Sequence, residues 1–501
     1  MSHTAINQSR LSRLPERMFE PIDGASIVFF RIGFSVVILW HVWVAFERNT
    51  IELDYILPRF HFTWYWFQWV RPLPALGMYL IFCVMGLAAA AMMMGLCYRV
   101  AAFVVCFLFT YEFLLDQSYY LNHYYLTCLL AMLLIFVPAH HFLSIDALVR
   151  PGMRSHLVPS WSLWILRFQV AVPYFYSGIT KLAPDWLRGQ PMTMALELRK
   201  HRLGPLTPYA SEPWLIWMFN YGSLVFDLAI VPLLLWRRTR LPAFLVACLF
   251  HVTNHFMFDI GFFPWFMIAA TTLFFEPGWP RRILHAARKT ASAPGHSSPS
   301  STTESPLPAG WSDLSKSRRW SIIGLGTYVL LQTVIPLRHH FYEGSSSWSE
   351  EAHQFSWTLM LRSKQCAVSY YATDPYTDQT SQVNLGQFLT RRQWLDHGKY
   401  PRMVHQMAHF VRDQMYGHNS DVEIRVIDLI SLNGRKPQLL IDPRVNLAAE
   451  PLSWQTPSWI MPLQEPFRDD YWKLPVSEWR DHVDISEYLR GTPLDPTVSD
   501  L

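Results

Sequence analysis

The sequence predicts an α-helical membrane domain of about nine transmembrane helices, followed by a β-rich, sandwich-like α+β soluble domain. Three observations predict it. Apolar runs recur from about Ile27 to Leu337, each near the roughly 20 residues that a bilayer crossing takes. Beyond Leu337 the apolar residues alternate instead, as in half-buried strands. The composition is an average of two unlike parts: 51% of the 501 residues are apolar and only 16% charged, where a soluble domain carries about 25% charge. Mean hydropathy is accordingly an intermediate +0.11. A net charge of +4 points away from a nucleic-acid partner. Low charge with high apolar content excludes intrinsic disorder, and six cysteines exclude a disulfide scaffold.

The nine spans fall near 25–46, 74–96, 100–116, 122–138, 161–181, 213–236, 241–257, 262–276 and 320–337. The third, seventh and eighth are short, and 241–276 also reads as one broken hairpin. The first run is not a cleaved secretory signal, because it is too long, holds Arg31 and His41, and lacks a small-residue cleavage site. Residues 1–24 read as an inner N-terminal segment, and about 285–319, rich in Ser, Thr, Pro and Ala, as a flexible inner loop. With the N-terminus inside, the inner loops carry sixteen Lys and Arg and the outer loops seven. That asymmetry satisfies the positive-inside rule and puts residues 338–501 on the outer side.

Within 338–501, the segments 354–361, 366–372 and 422–432 alternate as strands do. Asn433-Gly434 reads as a hairpin turn with Pro437–Asp442 returning, and about 397–417 has helical spacing. Only Cys366 lies in this part, so no disulfide can form within it. Cys83, Cys97, Cys106, Cys128 and Cys248 sit in or beside apolar spans.

Polar groups at membrane depth are functional candidates by default. Asn122 and His123 open the fourth span at its outer end, and Lys181 closes the fifth. His251, Asn254 and His255 lie toward the outer end of the seventh, and His339 and His340 follow the ninth. All aim at one face, beneath the soluble domain. His251 and His255 share a helix face with the spacing of a metal pair, although helix-end histidines often only cap. Lys181 precedes a helix break at Pro184-Asp185-Trp186; desolvated there it can serve as a general base, the bland alternative being snorkelling to the headgroups. Arg31, Glu112, Arg167 and Asp227 read as pairing for packing or topology, and His140 and His141 as interfacial on the inner side.

The stretches YFYSGITKLAPDWLRG, FHVTNHFMFDIGFFPWFMI and YYLNHYYL, then HHFYEGSSSWSEEAHQFSWTLMLRSK, LIDPRVNL and PSWIMPLQEPF, carry a resemblance over about residues 20–467. In this order they resemble the vitamin K-dependent γ-carboxylase family, also called the horizontally transferred transmembrane domain (HTTM) family. The resemblance implies a carbon–carbon lyase that oxidises a reduced vitamin K or menaquinol-like naphthoquinone with O2 to its epoxide. Glu deprotonation and CO2 addition are coupled to that oxidation, and no metal is expected. The implied partners are the lipid bilayer, an isoprenoid quinol and a Glu-containing protein or peptide, with no nucleic acid.

By motif, Lys181 matches the family's base, Asn122 and His123 the pair that polarises the quinol, and His340 a histidine contacting quinol or the carboxylated Glu. His251, Asn254, His255 and Phe263 match the quinol cavity wall, and Trp348, His353 and Trp357 the region that positions substrate. His353 stands where animal carboxylases carry a Tyr. The resemblance favours a bacterial member in the plasma membrane (the ER membrane in a eukaryote), with a cytoplasmic N-terminus and an extracytoplasmic C-terminal domain. Rival readings are a quinol epoxidase without carboxylation, a histidine-box di-iron oxygenase, and a non-enzymatic transporter or receptor.

Overall fold

A computed structural model describes residues 14–289, 315–417, 420–453, 455, 457–468 and 470–495. Most of the expected inner loop near 285–319, and the start of the N-terminal segment, lie outside the described residues. Each of the nine predicted spans is helical: α1 Ala25–Glu47, α2 Ala75–Met94, α3 Tyr98–Leu115, α4 Asn122–Phe136 and α5 Trp161–Thr180. The series continues with α6 Pro213–Leu235, α7 Arg240–Met257, α8 Phe263–Thr271 and α9 Lys316–Val334. Among the described residues, five helices are long and apolar enough to cross a membrane: α1, α2, α3, α6, and α9 continued to Phe341. Helix α4 and the stretch Phe263–Phe274 are shorter apolar helices.

Local chemistry sets the helix ends. Helix α2 stops at Gly95, whose φ of +66° lets its N–H turn back to the last carbonyls. A Cβ there would lie 2.3 Å from the Ser144 Cβ, so only glycine serves. Buried Arg31 and Arg167 do pair for packing, with backbone rather than acids. Arg31 donates to the carbonyls of Ala139 and Leu143, each at 2.7 Å, and Arg167 to those of Leu273 and Phe275 at 2.7 and 2.8 Å. Both cations thereby satisfy carbonyls that lipid could not.

The short strands β1 (Pro21–Asp23) and β2 (Leu157–Pro159) pair antiparallel beside the helices. The C-terminal region is built on β3 (Lys364–Thr373), β4 (Thr380–Gln382), β5 (Glu423–Leu432) and β6 (Gln438–Leu439). They form one antiparallel sheet in the order β4-β3-β5-β6. Helices α10 (Arg391–His397) and α11 (Pro401–Val411) accompany it, and α11 buries Met403, Met407 and Val411 among Ile424, Val426 and Trp459. Asn433 and Gly434, at φ of +52° and +82°, make the β5–β6 turn that the Asn-Gly signal predicts.

Two expectations are corrected. The sheet is single and covered by helices, so the region is α+β but not a sandwich. Residues 354–361 form no strand: Phe355, Trp357 and Met360 have φ near +60°, and the chain winds through turns. The alternation has another cause, because the segment lies in the seam between helices and sheet. There the Phe355 and Trp357 rings pack 4.8 and 5.0 Å from that of Tyr125 on α4.

Two sheet-region histidines make stability pH-dependent. Burial pushes His397 and His405 down to about 4. Below an unfolded value near 6.5, the unfolded chain takes up protons that the folded chain refuses. Stability is therefore lost as pH falls from 6.5 toward 4, by roughly 3 kcal/mol per histidine. The tryptophan-fluorescence unfolding midpoint is expected to be clearly lower at pH 4.5 than at pH 7. Equal wild-type midpoints at the two pH values, or an undiminished pH dependence when both His397→Gln and His405→Gln are introduced, would remove this linkage.

Candidate functional site

Helix α5 ends with Lys181 at its C-cap, one turn beyond Ser177. Gly178 lets α6 approach closely, since a Cβ there would meet the Leu228 side chain at 2.6 Å. That approach places Asp227, buried in the middle of α6, against the end of α5. Lys181 Nζ forms an ion pair with Asp227 Oδ2 and donates to Ser177 Oγ at 3.1 Å. Ser177 Oγ in turn donates to Asp227 Oδ2 at 2.7 Å, and the Trp186 ring lies 5.2 Å from Nζ. All four side chains are buried.

This cluster forms one wall of a cavity of about 230 Å³. The same cavity is lined by Asn122 and His123 in the first turn of α4, where Asn122 Oδ1 accepts from the Tyr120 hydroxyl at 2.8 Å. The His123 ring stacks on Phe263 at 5.2 Å between centroids. His251 Nε2 is 2.6 Å from the Tyr174 hydroxyl, while its Nδ1 is buried without a partner. Asn254, Phe250, Phe258, Met267 and Trp357 complete an otherwise apolar enclosure.

The structure thus brings Lys181, Asn122, His123, His251, Asn254, Phe263 and Trp357 around one space. It places the other predicted residues elsewhere. His255 points away from His251 and lines a neighbouring cavity, its ring 5.3 Å from Trp265. Four residues along an α-helix advance 400°, so the two positions diverge by about 40°, and the two histidines line different, adjoining cavities. His340 is exposed, with its ring 4.0 Å from that of His339. Trp348 is buried in the sheet-region core, donating to the Met461 carbonyl at 2.7 Å. His353 is buried beside Arg362, whose Nε lies 2.8 Å from its Nε2. Burial first, then Arg362 and Lys364, hold that imidazole well below the usual histidine range.

Asp227, Ser177 and Tyr174 were not among the predicted site residues. Asp227 stood out as a carboxylate inside an apolar run, but its partner is decided by helix packing. Ser177 could have been found as the residue four before Lys181, on the same helix face. A carboxylate, Asp227, is the direct partner of Lys181.

The HTTM domain family model matches residues 19–279, more than half of the chain. The model for the vitamin K-dependent gamma-carboxylase lumenal domain matches residues 317–466. The chain belongs to the vitamin K-dependent gamma-carboxylase family. No solved structure matches it. In this gamma-carboxylase-family protein the cavity is composite: Asn122, Lys181 and Asp227 come from the first matched region, Trp357 and Met360 from the second. Among the described residues, no three His, Cys, Asp or Glu side chains are grouped so as to hold a metal ion. His140, stacked on Tyr98 at the opposite end of α4 from His123, stands apart from the other histidines that a di-iron box would need.

Proposed function

We propose that this protein oxidises a reduced naphthoquinone of the vitamin K or menaquinol type with O2, and couples the oxidation to carboxylation of a peptide Glu. The observation that carries the reading is the buried Lys181–Asp227–Ser177 cluster lining the same aromatic-rich cavity as Asn122 and His123. A flat apolar bicycle carrying two oxygens suits that lining: polar Lys181, Asn122, His123, His251 and Asn254 among apolar Phe263, Met267 and Trp357. The unpartnered His251 Nδ1 is a further polar atom available to a ligand. When bound, the reduced quinone supplies the oxidation whose energy makes a base strong enough for the weakly acidic Glu γ-proton.

The chain's own groups do the positioning and the first proton transfer. Lys181 and Asp227 act together as the proton-accepting pair for the quinol hydroxyl, Asp227 stabilising the Lys181 ammonium. Ser177 holds Asp227 in place. Asn122 and His123 orient the other oxygen. The aromatic walls exclude water, which strengthens these interactions and protects reactive species. The membrane topology belongs to the same proposal: residues 25–337 cross the bilayer up to nine times, the N-terminus is cytoplasmic, and residues 338–501 are extracytoplasmic.

The test supplies the full chain in membranes with reduced naphthoquinone, O2, labelled bicarbonate and a Glu-containing peptide. Epoxide together with label in the peptide is expected. Epoxide without label would leave a quinol epoxidase, and neither product from a folded, quinone-binding protein would sink the reading. Asp227→Asn keeps the side chain's size but withdraws the charge that stabilises the Lys181 ammonium. It is expected to lower kcat for epoxide about 10²-fold with little change in KM for quinol. Turnover at the wild-type rate would remove Asp227 from the mechanism.

A further inference from the structure

The segment expected to receive a peptide is closed. Trp348 is packed in the sheet-region core, His353 is buried, and Trp357 stacks on Tyr125. A second route opens beside it. A cavity of about 440 Å³ shares Leu121, His123, Phe258 and Ile260 with the Lys181 cavity, so His123 stands between the two. Its lining includes the charged Arg48, Asp54 and, from the C-terminal region, Arg392. Arg392 also lines a third space, a groove of about 770 Å³ on the sheet region. The groove and the second cavity therefore share Arg392, and the second cavity and the Lys181 cavity share Leu121, His123, Phe258 and Ile260.

The groove has the form of an open strand edge. Six consecutive residues of β3, Lys364 to Ser369, line it. Residues on one face of a strand alternate, so a consecutive run marks an edge. Strand β4 covers only Tyr371–Thr373 of that edge. The Tyr370 carbonyl accepts from Val383 on the β4 side, while the Ser363 carbonyl accepts from Asn433 on the β5 side. By the alternation of the ladder, Cys366 and Val368 direct their amides and carbonyls into the groove. Among the described residues, no backbone hydrogen bond from outside the sheet occupies them.

The charge at the groove mouth is positive. Lys364 is neutralised by Glu350 at 2.6 Å and Lys399 by Asp396 at 2.6 Å. Asp259, on the second cavity, is held by both Arg202 nitrogens at 3.0 and 2.9 Å. That leaves exposed Arg391 and Arg392 at the junction. The Arg392–Asp54 pair is long at 3.5 Å, and its guanidinium otherwise lies over the Tyr119 ring at 4.5 Å.

We propose that an extended, glutamate-bearing peptide adds to the open edge of β3 and passes a γ-carboxyl beside Arg392 into the second cavity, up to His123. Strand addition gives affinity through the main chain, and the arginines select the carboxylate side chain. The proposal rests on the carboxylase reading above and gives its substrate a path.

The test uses the full chain in lipid nanodiscs and a fluorescein-labelled peptide of alternating Glu and Val, read by anisotropy. Naphthoquinone affinity is read separately by tryptophan quenching. Arg392→Gln is expected to weaken peptide binding about tenfold and to leave naphthoquinone affinity unchanged. Methylating alternate peptide amides, or replacing the peptide's Glu by Gln, is expected to weaken binding to the wild-type protein similarly. These two arms stay decisive even if the protein variant misfolds. Equal affinity for Arg392→Gln with naphthoquinone binding retained, equal affinity of the methylated peptide, or no peptide binding by wild type would each overturn the docking route. Peptide binding that follows the expected pattern in a protein that forms no epoxide would instead overturn the carboxylase reading alone.

Discussion

Lys181→Ala is expected to lower kcat for epoxide formation by about 10³-fold or more, within the range that a positioned acid–base group supplies. Lys181 is the buried amine on the cavity wall, and its Nζ already touches Asp227 and Ser177. Truncating it also leaves Asp227 as an unpaired buried charge, which costs about 3–5 kcal/mol of stability. Lost turnover alone would therefore be ambiguous. The double variant Lys181→Met/Asp227→Asn removes both charges, and it is expected to recover much of the melting temperature while recovering no turnover. Epoxide formation within tenfold of wild type in either variant would show that Lys181 is not the base.

Arg435→Ala is expected to loosen the sheet region from the helices and to reduce turnover without touching the cavity. Arg435 makes two hydrogen bonds to Asp185, at 2.6 and 2.7 Å, and Asn433 adds a third at 2.9 Å. Burial works to raise the Asp185 carboxyl, but the Arg435 and Asn433 hydrogen bonds hold it below the usual carboxylate range. Asp185 is half-buried, so losing its charge-assisted hydrogen bonds from Arg435 costs about 1.5–3 kcal/mol. The pair joins the β5–β6 turn to the segment four residues beyond Lys181, and Trp357 and Met360 reach the cavity from the same side. Limited proteolysis is expected to cut the seam faster in Arg435→Ala, with Arg435→Lys intermediate because a lysine cannot make the two-pronged contact. Unchanged proteolysis and turnover would reduce the pair to a surface ornament.

Much of this was legible in the residues. The nine apolar runs all became helices because a run of that composition and length has no better way to satisfy its backbone. The Asn433-Gly434 turn was legible because type I′ geometry demands positive φ at both positions. The paired signals at Asn122-His123 and Lys181 converged as expected, since both lie at helix ends on one face. Residues 354–361 misled because alternation can arise from packing against two bodies as well as from a strand. His255 and His340 misled because a place near the right end of a helix says nothing about which way a side chain points.

Taken alone, the sequence determined the local and chemical choices: which stretches become helices, where the texture turns to strands, and which polar groups lie at membrane depth. Those follow from short-range periodicity, turn chemistry and the cost of burying charge, all of which are written in neighbouring residues. The tertiary structure alone decided partnership. It joined Lys181 to Asp227 across 46 positions and Asp185 to Arg435 across 250. It also put His123 between two cavities and left the β3 edge open. Such pairings depend on helix approach and on how two regions dock, and no window of sequence contains them.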